Sequence, residues 1–170
     1  SDGSNHKLEP LSLANVQLPA SLCKLDLSGN NLRGSTLPAT WNDLLQLEHL
    51  DLSQCSLTDD FNPHDIFSSN LQNFQTLRLN QNELTEVPQS IFRVWNLRNV
   101  DLSFNRIASE LLKVMRDIAP GRERVGSASS TDPTLEVLDI SNNNITGTIP
   151  QNLFSEEWGL MQLLVLDLSN

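Results

Sequence analysis

A histidine flanked by carboxylates is the arrangement in this sequence best suited to chemistry. His49 follows Glu48 directly and precedes Asp51 by two positions. Imidazole beside carboxylates can act as a general acid or base, or it can bind a metal ion. However, the sequence contains no phosphate-binding, dinucleotide-binding, zinc-protease or nucleophile-elbow motif. We therefore interpret His49 as a solvated surface histidine, and we expect no enzyme activity, no metal site and no cofactor.

The composition is that of a water-soluble domain with an acidic excess. The 170 residues fit a single domain, and the formal net charge is −10. Nucleic acid requires a basic surface, so it is excluded as a partner, whereas a basic protein or peptide is weakly favoured. The longest apolar runs, such as residues 160–166, are far shorter than the roughly 20 residues that span a bilayer. We therefore expect no membrane insertion by this segment.

A phrase built on Leu-x-Leu recurs and would position the polar residues. "LDLSGNNL" begins at residue 25, "LDLSQCSL" at 50 and "LDISNNNI" at 138. The copies align on the template LxxLxLxxNxL with starts 25, 27, 23, 38 and 28 residues apart. Spacing of two predicts a short strand with one buried side. Because no single copy can bury its leucines alone, neighbouring copies must stack.

This template resembles the leucine-rich repeat family, whose repeats are about 20–29 residues long. The resemblance covers nearly the whole chain, and "NNNITGTIPQNLF" is similar to the plant-type repeat N-x-L-x-G-x-I-P. It implies an α/β fold, a right-handed leucine-rich repeat solenoid or horseshoe with a parallel concave sheet and helical or 3-10 convex arms. It also implies that the chain recognises a protein or peptide through its concave face.

The ninth template position is predicted to be structural. An asparagine amide there can satisfy backbone groups that the bend after the strand leaves unpaired. Cys55 takes this position in one copy and is expected to be a buried thiol. Cys23 lies in a column roughly 20 Å away, too far for a disulfide, so we expect two free thiols. The predicted ladder consists of Asn30, Cys55, Asn82, Asn105 and Asn143.

The segments between strands vary. "LPATWNDLLQL" and "TEVPQSIFRVWNL" each contain a proline near the start and predict a helix or 3-10 turn, and residues 107–119 have apolar residues at helical spacing, including Leu111, Leu112, Met115 and Ile118. Residues 119–134 have the composition of a flexible insertion loop that is dispensable for folding. Within it, Ser127 follows two arginines in a pattern typical of basophilic kinase sites, so phosphorylation of Ser127 is a possible modification.

The outward-facing positions of the predicted strands supply the candidate binding residues. One column is aspartate in five of six copies and is interrupted by Arg78. Two interpretations stay open. The aspartates are either a structural feature that is common in the family, which we favour, or an acidic stripe that binds a basic ligand. Phe104 is either an exposed interface anchor or packed against the rim, and Trp95 is a second candidate for exposure. The predicted partner-binding residues are Arg78, Asp101, Phe104, Asp139, Asp51, His49 and Trp95.

The two ends of the sequence carry further expectations. The last copy stops after its strand, so we expect a single domain (1–170) that is a fragment of a longer array and can self-associate through an uncapped edge. Residues 8–18 are either an N-terminal cap strand or an incomplete coil. Free thiols slightly favour the cytoplasm, and hence a sensor or scaffold segment of a larger intracellular protein. The alternative is the ectodomain of a cell-surface receptor, supported by the plant-type phrase and by a glycosylation sequon at Asn144.

Overall fold

Six short parallel strands form one open sheet in the computed structural model. The structure describes residues 10–61, 71–94, 96–118, 135–154, 160 and 162–170. The strands pair in the order of the sequence, and each strand lies within one copy of the repeat. The predicted parallel solenoid is therefore confirmed. The strands are β1 (Lys24–Asp26), β2 (His49–Asp51), β3 (Thr76–Arg78), β4 (Asn99–Asp101), β5 (Val137–Asp139) and β6 (Val165–Asp167).

The return arms on the other side of the core are helical. Two 3-10 helices, Ala39–Asp43 and Gln89–Arg93, begin directly after Pro38 and Pro88. Proline suits this position because its φ is already helical and its missing N–H would have no partner there. The α-helix α1 (Leu111–Ile118) lies within the predicted helical segment. Its buried side differs by one residue from the prediction, because Val114 is buried and Leu112 is half-exposed.

The core lies between the sheet and the arms and consists mainly of the template leucines. The central strand leucines are in register across the sheet and at most 1 % exposed, as Leu50, Leu77 and Leu138 show. Burying one such side chain stabilises the fold by about 1.5–3 kcal/mol. Leu25 and Leu166, in the first and last strands, are only partly buried. Full burial of these leucines therefore depends on a coil on each side.

A cap strand was one of the two alternatives for residues 8–18, and residues 10–23 pack over the first coil without forming one. They contain turns only, but Leu13 is buried at 3 % exposure. The N–H of Leu11 donates to the carbonyl of Asn31 at 2.7 Å, and the indole Nε1 of Trp41 donates to the carbonyl of Val16 at 3.4 Å. The segment is therefore held by side-chain burial and by isolated hydrogen bonds. It has Val16 where the repeat template has an asparagine.

The asparagines after the strands connect neighbouring coils. The Nδ2 of Asn82 donates to the carbonyl of Leu79 in its own coil and to that of Leu52 in the preceding coil, each at 2.9 Å. Its Oδ1 accepts from the backbone N–H groups of Cys55 and Leu57, each at 3.0 Å. One amide thus satisfies four backbone groups at the bend. Asn105 and Asn143 make the same kinds of bonds one and two coils further on.

The remaining two ladder residues, Cys55 and Asn30, differ in whether they form a hydrogen bond to the preceding coil. The Sγ of Cys55 approaches the carbonyl of Leu27 in the preceding coil at 3.1 Å and that of Ser53 at 3.3 Å, so the thiol takes over the donor bonds of the amide. Asn30 is exposed and donates to the carbonyl of Leu27 in its own coil at 2.9 Å. The cross-coil bond therefore begins with Cys55.

We predict that Asn105→Leu lowers the free energy of unfolding by about 1–3 kcal/mol, because it leaves buried backbone groups without partners. Denaturant titration of both proteins measures the difference. Asn144→Leu is the matched control, since Asn144 is exposed and adjacent to the ladder. Equal midpoints for Asn105→Leu and the parent would remove Asn105 from the ladder.

The two cysteines are predicted to differ strongly in reactivity. They are unpaired, with Cys23 exposed and Cys55 buried, and burial raises the pKa of the Cys55 thiol. Because the thiolate is the reactive form, a maleimide reagent should label Cys23 within minutes and Cys55 only after unfolding. Mass spectrometry of the intact protein counts the labels. Rapid double labelling of the folded chain would contradict the burial of Cys55.

Candidate functional site

The aspartates of the outward column serve the backbone as well as the surface. The strand register places Asp26, Asp51, Arg78, Asp101, Asp139 and Asp167 side by side. The Oδ1 of Asp101 accepts from the N–H of Ser103 at 3.0 Å and from its hydroxyl at 2.6 Å. Each of the other four aspartates accepts from the backbone N–H of the serine two residues later. These bonds favour the structural interpretation of the column.

The same hydrogen bonds favour the charged form of the aspartates at the two ends of the column. Hydrogen bonds from the hydroxyl and the N–H of Ser28 lower the pKa of Asp26, and the N–H and hydroxyl of Ser169 lower that of Asp167. Within the described part of the chain, the one ion pair in this column joins Nη1 of Arg78 to Oδ2 of Asp51 at 3.4 Å. The structural and acidic interpretations are therefore compatible, since one carboxylate oxygen binds the backbone and the charge remains.

The coil of β3 departs from this pattern at two positions together. Arg78 replaces the aspartate and Asn80 replaces the serine, so the local bond between the two side chains is lost. The Oδ1 of Asn80 is buried and has no hydrogen-bond partner among the described residues, which typically costs about 1–3 kcal/mol. In exchange the fold gains the ion pair between Arg78 and Asp51, and an exposed pair of this kind stabilises by at most about 1 kcal/mol. Arg78 is the strongest candidate for a residue retained for binding.

Arg78 lies in a shallow depression of the concave face. The depression has a volume of about 390 Å³, enough for one or two side chains of a ligand. The side chain of Arg78 is 58 % exposed. In the same depression, the imidazole Nε2 of His49 lies 3.8 Å from Oε2 of Glu48. The structure thus gathers five predicted residues on one surface and leaves a cationic donor accessible at its centre. The lining residues are His49, Thr76, Leu77, Arg78, Asn99, Val100, Asp101, Val137 and Asp139, and Asp51 lines the adjoining depression.

Phe104 lies beyond the end of β4 in a strained backbone conformation. Its φ is +52°, in the left-handed region, which the equivalent residues Gly29, Gln54, Gln81 and Asn142 of the other coils also adopt. A bulky residue there costs about 1–2 kcal/mol. Its side chain is 54 % exposed, so packing against the rim does not bury it. Neither backbone preference nor core packing explains the phenylalanine, which supports a role at the surface.

An apolar part of the concave face was missed at the level of sequence. Val137 and Val165 are paired in register on β5 and β6, where the first four strands carry Lys24, His49, Thr76 and Asn99. Leu164 beside them is 78 % exposed. Comparing this column between copies would have revealed the change from polar to apolar side chains. The candidate binding surface therefore extends from charged residues near β2 to apolar residues near β6.

The other predicted site residues lie apart from this surface or outside the described residues. Asn144 is exposed after the last complete ladder position, and its N–H donates to the carbonyl of Ile107 at 3.0 Å. Trp95 and residues 119–134, including Ser127, lie outside the described residues. The described residues contain no group of three potential metal ligands. None of the described helices has the length and apolar character needed to cross a membrane.

A family model described as Leucine Rich Repeat matches residues 21–44, 46–70 and 134–155. The chain belongs to the leucine-rich repeat family. Receptor-like protein 54 of Arabidopsis thaliana is 28 % identical over 176 residues, which cover 84 % of this leucine-rich repeat chain and 21 % of the relative. Toll-like receptor 2 of Pan troglodytes is 32 % identical over 121 residues, or 66 % of this chain and 15 % of that protein. The chain therefore spans about a fifth or less of these relatives.

A solved structure gives the same fold. The leucine-rich repeat ectodomain of the plant membrane receptor kinase GASSHO1/SCHENGEN3 from Arabidopsis thaliana was crystallised in complex with CASPARIAN STRIP INTEGRITY FACTOR 2. It matches with a TM-score of 0.59 and 25 % identity over 88 % of this chain and 15 % of that chain.

The strain at Phe104 gives a prediction for stability. Phe104→Asn should be more stable than Phe104→Ala by about 1 kcal/mol, because asparagine tolerates positive φ and alanine does not. Both variants lose the ring, so their difference isolates the backbone effect. Thermal or urea unfolding measures it. A less stable asparagine variant would show that the backbone of Phe104 is not strained.

Proposed function

We propose that this chain is part of the ligand-recognising region of a larger cell-surface receptor, and that the concave face around Arg78 binds a protein or peptide. The observation that carries the proposal is the paired departure at Arg78 and Asn80. It sacrifices a local hydrogen bond in one coil and presents a guanidinium in the depression. The exposed ring of Phe104 supplies an aromatic anchor at the edge of the same face.

The relatives support the cell-surface setting. Two of them are named as receptors, and the solved ectodomain holds a named factor in its complex. The plant-type phrase and the exposed Asn144 point in the same direction. A second candidate is an intracellular sensor or scaffold segment, which the two unpaired thiols favour.

Charge and shape define the kind of partner. The column carries five carboxylates against one guanidinium, so its field attracts a basic segment. The depression is open and shallow, and it suits side chains that project from an extended peptide or a protein loop. We therefore propose a partner with basic and apolar side chains on the contacting surface.

Selection from a phage-displayed peptide library tests the binding surface. We expect the selected peptides to bind Phe104→Ala with an affinity weaker by about 2 kcal/mol, and to associate more slowly with Asp101→Lys at low salt. Lys113→Glu is the control, because Lys113 is exposed on α1, away from the sheet. Selected peptides that tolerate both concave changes but lose binding to the control would overturn the concave assignment.

The compartment has a separate test. In protein isolated from its native source, we expect an N-linked glycan on Asn144, detected as a mass shift that glycosidase treatment removes. Its sequon is complete and its side chain is exposed. Unmodified Asn144 together with two reduced thiols would instead favour the intracellular candidate.

A further inference from the structure

We propose that Arg78 determines where the partner sits along the sheet. The bound segment is extended and crosses the strands, with an uncharged polar side chain over β3, an arginine over β4 and β5, and an apolar side chain over β6. This inference deepens the proposed function and rests on it. Arg78 excludes a positively charged side chain of the partner from the position over β3. The neighbouring aspartates bind that side chain at the position over β4 and β5.

The spacing of strands and of peptide side chains permits this arrangement. Neighbouring strands lie about 4.8 Å apart, so β3 and β6 are separated by roughly 14 Å. An extended peptide rises about 3.4 Å per residue, and its alternate side chains face the same way at intervals of about 6.8 Å. Two such intervals therefore match three strand spacings. If one side chain lies over β3, the second lies between β4 and β5, and the third lies over β6.

The middle position is suited to an arginine. Asp101 and Asp139 are neighbours in register, and neither forms an ion pair among the described residues. The nearby cation Arg98 is already bound, since its Nη1 lies 2.6 Å from Oε1 of Glu136. A guanidinium can bind two carboxylates through its planar set of donors and can also stack on an aromatic ring. Phe104 follows Asp101 by three residues on the same coil, and its side chain is exposed.

The position over β3 rejects the same arginine. Arg78 is 58 % exposed and would repel a cation directly above it, which makes it a repulsive element of the kind that confers specificity. The flanking Asp51 and Asp101 disfavour an anion as well. Thr76 and Asn99, which also line the depression beside Arg78, are uncharged hydrogen-bonding groups. A carboxamide, which both donates and accepts, matches this mixture.

The position over β6 is apolar. Val137 and Val165 are paired in register, and Leu164 beside them is 78 % exposed. An aliphatic side chain from the partner would cover this area and gain from its removal from water. The three positions differ in chemistry, so a peptide shifted by one strand loses all three matches together.

Two peptides of identical composition test this order. The probes are Gly-Gln-Ser-Arg-Ser-Leu-Gly and its permuted form Gly-Arg-Ser-Gln-Ser-Leu-Gly, titrated into nitrogen-15-labelled protein and followed by amide chemical shifts. We expect the first peptide to bind at least about tenfold more tightly, which corresponds to about 1.4 kcal/mol, and to perturb amides of β3 to β6. In the Arg78→Asp variant the column is acidic throughout, and the permuted peptide should become equal to the first. Lys113→Asp changes the net charge by the same amount on α1 and should keep the tenfold preference.

Each outcome has one meaning. Equal binding of both peptides to the concave face of the parent protein would overturn the role of Arg78 while leaving the proposed function intact. Loss of the preference in Lys113→Asp as well would reduce the effect to net charge and would also overturn it. Shifts confined to the convex side, or no shifts with either peptide, would count against both proposals. Concave shifts that grow with protein concentration alone would assign this face to a second copy of the chain.

Discussion

Neighbouring coils of this leucine-rich repeat chain depend on each other, because the turn after each of the first four strands is hydrogen-bonded by a side chain of the following coil. The amide of Asn82 satisfies backbone groups of two coils at once, and its donors and acceptor are fully used. The central leucines impose the same dependence through burial. The strands therefore cannot shift relative to one another without breaking polar and apolar contacts together.

This constraint shapes the concave surface that we propose for binding. Strict pairing in register turns one sequence position into a straight row of side chains, so a single substitution stands out against five similar neighbours. Arg78 acquires its significance in this way, since it is a cation within a row of carboxylates. The aspartates themselves are bound to the following serines. They are thus positioned by the fold without having to be rearranged by a ligand.

Two unfavourable local features lie at residues that we assign to binding. Among the described residues, the buried Oδ1 of Asn80 has no hydrogen-bond partner, and Phe104 holds a positive φ with its ring exposed. Equivalent residues of other coils also have a positive φ, so Phe104 is distinguished by carrying an exposed aromatic ring at this position. Because the ladder and the leucine core stabilise the coil, the chain tolerates both.

The sequence by itself determined the fold, because the spacing of leucines and asparagines leaves a single way to bury them. It also predicted the 3-10 helices after Pro38 and Pro88 and most of the concave residues. The tertiary structure alone decided that residues 10–23 form turns, that Phe104 is strained and exposed, and that the Asn80 oxygen has no partner among the described residues. It also brought Val137 and Val165 together as an apolar extension of the face. These properties depend on contacts between coils that are distant in sequence, and a repeat pattern specifies which residues align but not how each side chain is satisfied.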